Sequence, residues 1–237
     1  MPDFKRSEIE VTLLDTMGSD LSIVNAARVS FDKESEWEEY VIDPNATPVK
    51  YGDRLNEKDA KLINYLAKHN HWTPFGHVFA SFRIKAPFFV ARQLGKHQVG
   101  LVWNEVSRRY VDSEPEFYIP ETLRGRAKNV KQGSSLNGVE TPGAGVDYPG
   151  INYTTETALA AYKGLLKDGV APEVARIVLP QNTMTEWIWS GSLAAFARVC
   201  KLRMDPHTQL ETGSVAWHIA ECLAEQFPVG FKALLEN

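Results

Sequence analysis

Along this chain apolar and polar positions change rhythm several times, and each rhythm predicts an element. In VFASFRIK, Val78, Ala80, Phe82 and Ile84 alternate with Phe79, Ser81, Arg83 and Lys85, the period of two that puts one set of side chains on each face of a strand. Ile9 to Leu14 reads as a shorter opening strand, and NAARVSF, Asn25 to Phe31, continues the first ordered region. Asn56 is an N-cap candidate with Asp59 in the first turn, and Leu62, Ile63 and Leu66 then recur at helical spacing until about His69 and Asn70. Pro87 suits the first turn of a helix running through FFVARQLGKH.

The second half reads as helical. TTETALAAYKGLLKDG ends at the C-cap candidate Gly169, and Pro172 opens the short helix APEVARIVL. A helix from Ser192 to Met204 stops before Pro206, and another runs from about Thr208 to Phe227 with Trp217, Ala220, Leu223, Ala224 and Phe227 as its inward stripe. Asp32 to Lys58 reads as loop, and Lys128 to Gly150 holds too much Gly, Ser and Pro to pack, which predicts a mobile loop and a hypothetical lid. No internal repeat is visible. Strands mixed with helices early, then helices, predict an α+β fold: a single domain over residues 1–237 with a mixed or antiparallel sheet packed against helices.

Composition narrows the function classes. With 43% hydrophobic and 11% aromatic residues among 237, the chain can bury a sizeable core. Its 26 basic and 30 acidic residues leave a net charge of −4, which argues against sequence-independent binding of nucleic acid, so an anion has to be gripped by a local cluster. The two cysteines, Cys200 and Cys222, have no metal-ligand spacing and read as reduced core thiols, and no metal site is expected. MPDFKRSEIEVTLLD lacks the apolar stretch of a signal peptide and no run approaches a membrane span, which predicts a cytoplasmic protein.

There is no GxGxxG after a strand and no GxxxxGK[ST], so a dinucleotide has to be held without a phosphate loop. The candidate chemistry lies in ARQLGKHQVGLVWNEVSRRY, where Gln93, Lys96 and His97 would share a helix face carrying an amide, an ammonium and an imidazole. Those groups suit an anionic nucleotide, because phosphate wants cationic donors and a pyrimidine edge wants an amide or hydroxyl. A solvated polar face is the plainer reading, weakened by Leu94, Val99, Leu101, Val102 and Trp103, which draw the segment inward.

This stretch resembles the signature of the flavin-dependent thymidylate synthases, Arg-His-Arg followed after seven residues by Ser, within Asn-Glu-x-Ser-x-Arg-Tyr. Here Asn104, Glu105, Ser107, Arg109 and Tyr110 match, whereas Lys96, His97 and Gln98 stand at the Arg-His-Arg positions and eight residues separate Gln98 from Ser107. NAARVSF, HWTPFGH, KAPFFVARQ, EFYIP, VARIVLP and RVCKLRMDPHTQLE resemble further family segments in order.

The resemblance implies that Gln93, Lys96, Glu105, Val106, Ser107, Arg108, Arg109 and Arg176 surround dUMP. Arg203 would be the catalytic residue, holding charge that develops on the uracil ring. A guanidinium suits that task, since it stays protonated and offers paired donors. FAD would be met by His71, Thr73, Lys96, His97, Gln98, Glu105, Ser192 and Arg198. NADPH and 5,10-methylenetetrahydrofolate would be co-substrates, and the resemblance implies a homotetramer with active sites shared between subunits.

Ser107 reads as a substrate ligand, not a nucleophile, because no histidine–carboxylate pair accompanies it. His77 is either a site residue or a buried, hydrogen-bonded side chain, and His207 reads as a capping or interface residue. Two other functions compete: a flavin-dependent pyrimidine nucleotide hydroxymethylase, suggested by the altered Lys-His-Gln start, and a nucleotide- or RNA-binding protein that has lost flavin.

Overall fold

The period-two stretch does form a strand, and it becomes one of two central strands of a four-stranded antiparallel sheet. The computed structural model describes residues 3–43, 50–126, 133–138 and 148–237. In chain order the elements are β1 (Lys5–Arg6), β2 (Glu10–Met17), α1 (Asp20–Arg28), β3 (Glu38–Asp43), β4 (Lys50–Arg54), α2 (Glu57–Lys68), β5 (Phe79–Pro87), α3 (Phe88–Leu94) and β6 (Leu101–Glu105). Then come β7 (Glu116–Phe117), β8 (Arg124–Arg126), β9 (Ser134–Gly138), α4 (Pro149–Lys167), α5 (Pro172–Ala175), β10 (Met184–Ser192), α6 (Leu193–Arg203), α7 (Leu210–Gln226) and α8 (Gly230–Glu236). The main sheet has the order β2-β5-β10-β6, and three two-stranded pairs, β1-β7, β3-β4 and β8-β9, stand beside it. The architecture is α+β, as the alternation of elements implies.

One face of the sheet carries the core. Ala80, Phe82, Ile84 and Ala86 of β5 and Trp187 and Trp189 of β10 are buried and pack with Phe75, Val90, Leu94, Leu193, Phe196, Val215, Ile219, Leu223 and Phe231 from the surrounding helices. Phe82 and Trp189 each meet Phe196 edge-on, with ring centroids 5.2 and 5.3 Å apart. Truncating any of these rings would cost about 3–5 kcal/mol. The opposite face is polar at Ser81, Ser190, Arg83 and Glu186, with Ser81 and Ser190 hydroxyls 2.8 Å apart and Arg83 bonded to Glu186 at 2.9 Å. A satellite core of Phe4, Phe117, Ile119 and Leu159 seals α4 against β7.

Several expectations need correction. The second half is not wholly helical: β10 runs through it, and the outward Ile188 and inward Thr185 blur the apolar–polar contrast that would mark a strand. Asp32 to Lys58 contains the β3-β4 pair, in which Glu38 faces Arg54. Within Lys128 to Gly150, Ser134–Gly138 forms β9 and Pro149 opens α4, while 128–132 and 139–147 lie outside the described residues. On α7 the inward residues are Val215, Ala216, Ile219, Ala220, Leu223 and Phe227, whereas Trp217 is 54% exposed and Ala224 is also on the surface. Small residues turn this face toward α6: a side chain at Gly213 would approach the Arg203 carbonyl to 3.3 Å.

Candidate functional site

Cap chemistry delivers the first site residues. Asn56 accepts a hydrogen bond from the Asp59 backbone at 3.0 Å and starts α2, as its sequence position implies. α2 ends at His69, and the chain turns through His71 into the 3-10 turn Thr73–Gly76, which packs against α1 and α6. His71, Thr73 and His77 are all exposed, so His77 is not a buried side chain.

α3 stops earlier than its sequence suggests. Its last residue is Leu94 and Gly95 is the C-cap, so Lys96 and His97 lie past its end and no helical face joins them to Gln93. The backbone bends instead, because Leu101 must enter β6 while the preceding residues are drawn to α6. Arg198 donates to the Val99 carbonyl at 2.8 Å, and the Ser192 backbone donates to the Gly100 carbonyl at 3.2 Å. Gly100 adopts φ +76, and a side chain there would meet Ala195 at 3.1 Å. Ser192 itself caps α6, its hydroxyl accepting from the Ala195 backbone at 3.3 Å.

The bend carries His97 to Arg203. Arg203 Nε donates to His97 Nε2 at 2.9 Å, which requires the neutral imidazole with its proton on Nδ1. Burial, followed by the Arg203 and Arg198 guanidinium groups, pulls the His97 pKa below its usual value, in agreement with that state. Burial also draws the Arg203 pKa down.

Arg203 lines an open cavity of about 1040 Å³ with Gln93, Gly133, Ser134, Lys201, His207 and Gln209 among its walls. Gln93 donates to Gln209 at 2.8 Å, tying α3 to the start of α7. His97 faces a second cavity of about 360 Å³, whose lining includes Gln98, Glu105, Trp103 and Arg92. Trp103 stacks on Trp187 with centroids 4.3 Å apart and planes 16° apart, and Glu105 accepts from Thr185 at 2.7 Å. The Arg203–His97 hydrogen bond thus links the two cavities, and Glu105 lines the smaller one with His97.

The other signature residues gather elsewhere. The Ser107 hydroxyl accepts from the Arg109 backbone at 3.3 Å, which braces a turn, and Arg108 donates to the Ser113 carbonyl at 2.7 Å. Arg109 lies 3.8 Å from the Glu173 carboxylate, and Arg176 donates to the Glu173 carbonyl at 3.2 Å. Neither Arg109 nor Arg176 lines the Arg203 cavity. Lys96 is exposed, and Val106 is 46% exposed with its backbone donating to Glu186 at 2.8 Å. Arg109 and Arg176 are thus gathered at Glu173 and not at the cavity that Arg203 lines.

Sequence reasoning passed over Glu173 and Thr185, which have meaning only through their neighbours in space, whereas Arg92 and Gln209 lie in segments already singled out, ARQLGKHQVGLVWNEVSRRY and RVCKLRMDPHTQLE. His207 bonds to Asp205 through both its backbone and Nδ1, at 2.8 and 3.1 Å, and also borders the larger cavity. Among the described residues no group of His, Cys, Asp or Glu is placed to hold a metal, and no helix is long and apolar enough to cross a membrane.

Residues 12–229 match the family described as thymidylate synthase complementing protein. The flavin-dependent thymidylate synthase of Thermosipho africanus is 37% identical over 225 residues, covering 94% of this chain and 90% of that protein. The flavin-dependent thymidylate synthase of Thermus thermophilus is 38% identical over 230 residues, covering 96% of this chain and 76% of that protein. Among solved structures, the UMP/dUMP methylase PolB from Streptomyces cacaoi bound with 5-Br UMP superposes with a TM-score of 0.81 at 28% identity, covering 99% of this chain and 97% of that one. The Arg203–His97 pair, the signature turn and the fold that presents them thus lie within a likeness that spans nearly the whole sequence, and the chain belongs to the thymidylate synthase complementing protein family, that of the flavin-dependent thymidylate synthases.

Proposed function

We propose that the chain, acting as one domain, methylates dUMP to dTMP, with 5,10-methylenetetrahydrofolate as carbon donor and NADPH as the source of electrons for bound FAD. The observation that carries this reading is a half-buried Arg203 guanidinium held by His97 beside the Gln93 amide in a cavity large enough for a nucleotide. A cation fixed in advance stabilises negative charge developing on the pyrimidine ring and activates it without a covalent enzyme nucleophile. Arg109 and Arg176, with Ser107, Arg108 and Lys96, supply donors for the phosphate, and the apolar Val106 is assigned a place beside the nucleotide. The UMP/dUMP methylase likeness supports a uridine monophosphate as substrate.

The groups around the smaller cavity fit a flavin. His97 offers an Nδ1 proton, Gln98 an amide able to donate and accept, Arg92 positive charge for a phosphate, and Trp103 a flat apolar wall, while Arg198, bonded to the Val99 carbonyl, is assigned a second positive charge for the cofactor. Ser192, Glu105, His71 and Thr73 complete the set we assign to FAD. Bound there, the flavin supplies reducing electrons. Trp103 and Leu101 exclude water from that wall, and His97 passes the position of Arg203 from one cavity to the other. Because Arg109 and Arg176 of a single chain do not line the cavity of its Arg203, we assign the active site to subunit interfaces of a homotetramer, in which one protomer's Arg203 meets its partner's signature turn.

The test is incubation of purified protein with FAD, NADPH, methylenetetrahydrofolate and dUMP under low oxygen, with the product identified by mass and UMP as a parallel substrate. We expect dTMP, abolished by Arg203→Ala. Unchanged dUMP in the presence of bound, reducible flavin would refute the reading, and a hydroxymethylated product would replace it.

A further inference from the structure

The wall of the Arg203 cavity is held in place by a buried ion pair outside the signature. Arg124 on β8 donates from one terminal nitrogen to both oxygens of Glu211, at 2.8 and 2.8 Å, and the pair is nearly dry, with side-chain exposures of 15% and 4%. The same guanidinium donates from Nε to the Ser134 hydroxyl at 2.8 Å. Arg124 thus joins two elements: Glu211 lies in the first turn of α7, and Ser134 begins β9. Both border the cavity through neighbours, for Gly133 and Ser134 form one wall and Gln209, just before α7, forms another. Gly133 lies against the His207 carbonyl, which a side chain would approach to 3.3 Å, and its φ of +96 suits glycine alone. Gln209 in turn holds Gln93 at 2.8 Å.

From these contacts we infer that Arg124 and Glu211 are positioning residues for the nucleotide: they clamp β9 to α7 and so set the width of the Arg203 cavity. The inference rests on dUMP binding in that cavity. A clamp of this kind acts on affinity. Losing it lets Gly133 and Ser134 move away from Gln209, so the nucleotide loses a wall while Arg203 and His97 keep their own bond.

A plain stability role makes a different prediction, and a pair of variants separates the two. Removing one partner strands a buried charge and destabilises the fold, whereas replacing both by apolar residues of similar bulk is close to neutral. Arg124→Met alone is therefore expected to lower the melting temperature, and Arg124→Met/Glu211→Leu to recover most of it. On the clamp reading the stable double variant still shows a KM for dUMP raised roughly tenfold or more, kcat changed much less, and faster backbone hydrogen exchange in 133–138. If the double variant recovers both stability and wild-type KM, the pair is structural and the inference is overturned. Unchanged exchange in 133–138 overturns it as well. A wild-type protein that neither binds nor turns over dUMP instead sinks the function proposed above, and the nucleotide role of the clamp falls with it.

Discussion

Arg203 Nε and His97 Nε2 share one hydrogen bond at 2.9 Å, joining the end of α6 to the chain just past α3. The bond exists only while His97 is neutral. Its depressed pKa favours that state, so the coupling is complete above the ordinary histidine value of 6.5 and is lost as pH falls through the lower folded value. At that point two cations face each other. With flavin saturating, kcat/KM for dUMP should show an acid limb below pH 6.5, approaching tenfold per pH unit. His97→Gln keeps an acceptor that does not titrate and should flatten the limb; an unaltered limb in that variant would assign it to another group.

Stability should depend on a second buried partnership, Arg28 with Asp59, which ties α1 to α2 and includes an Arg28 Nε bond of 3.1 Å. Burial raises the Asp59 pKa, but hydrogen bonds from Arg28, Ser35 and Asn56 outweigh it and leave the carboxyl below its usual 3.8. A depressed carboxyl contributes stability above the unfolded value and loses it as pH falls through the folded one. Asp59→Asn should therefore cost about 3 kcal/mol at neutral pH, near the low end for a broken buried pair because Arg28 keeps some exposure. The gap in melting temperature between the two proteins should narrow as pH falls below 3.8 and through the lowered folded value. A gap independent of pH would rule out the charge as its cause.

Thiol chemistry gives a third expectation. Cys200 is fully buried, bonds to the Ala216 carbonyl at 3.6 Å, and has its pKa pushed up to about 12 by burial. Cys222 is half-buried, with its pKa raised by burial and by Glu221 and Glu225. In the native protein a disulfide reagent should modify Cys222 slowly and leave Cys200 untouched, with both reacting after unfolding. Rapid loss of two thiols would show that α6 and α7 part readily.

The parts of the molecule legible in its sequence are those decided locally. The strand β5, the cap at Asn56 and the helix ending before Pro206 follow from period, cap chemistry and proline sterics, and the family follows from motifs in order. What escaped depends on distant partners. β10 is a strand because β5 and β6 flank it, and its inward Thr185 is there to meet Glu105. α3 breaks at Gly95 because Arg198 and Ser192, a hundred residues on, hold Val99 and Gly100. The notion of Gln93, Lys96 and His97 on one helix failed for that reason, yet Gln93 and His97 still converge on Arg203, one through the cavity and one through a hydrogen bond.

The separation of Arg203 from Arg109 and Arg176 has a consequence at the level of alleles. Where each working site draws one cluster from each of two copies, a protein dead through Arg203→Ala and another dead through Arg176→Ala damage opposite halves. Co-expressed, the two inactive alleles should rebuild some intact sites and restore thymidine-independent growth that neither supports alone.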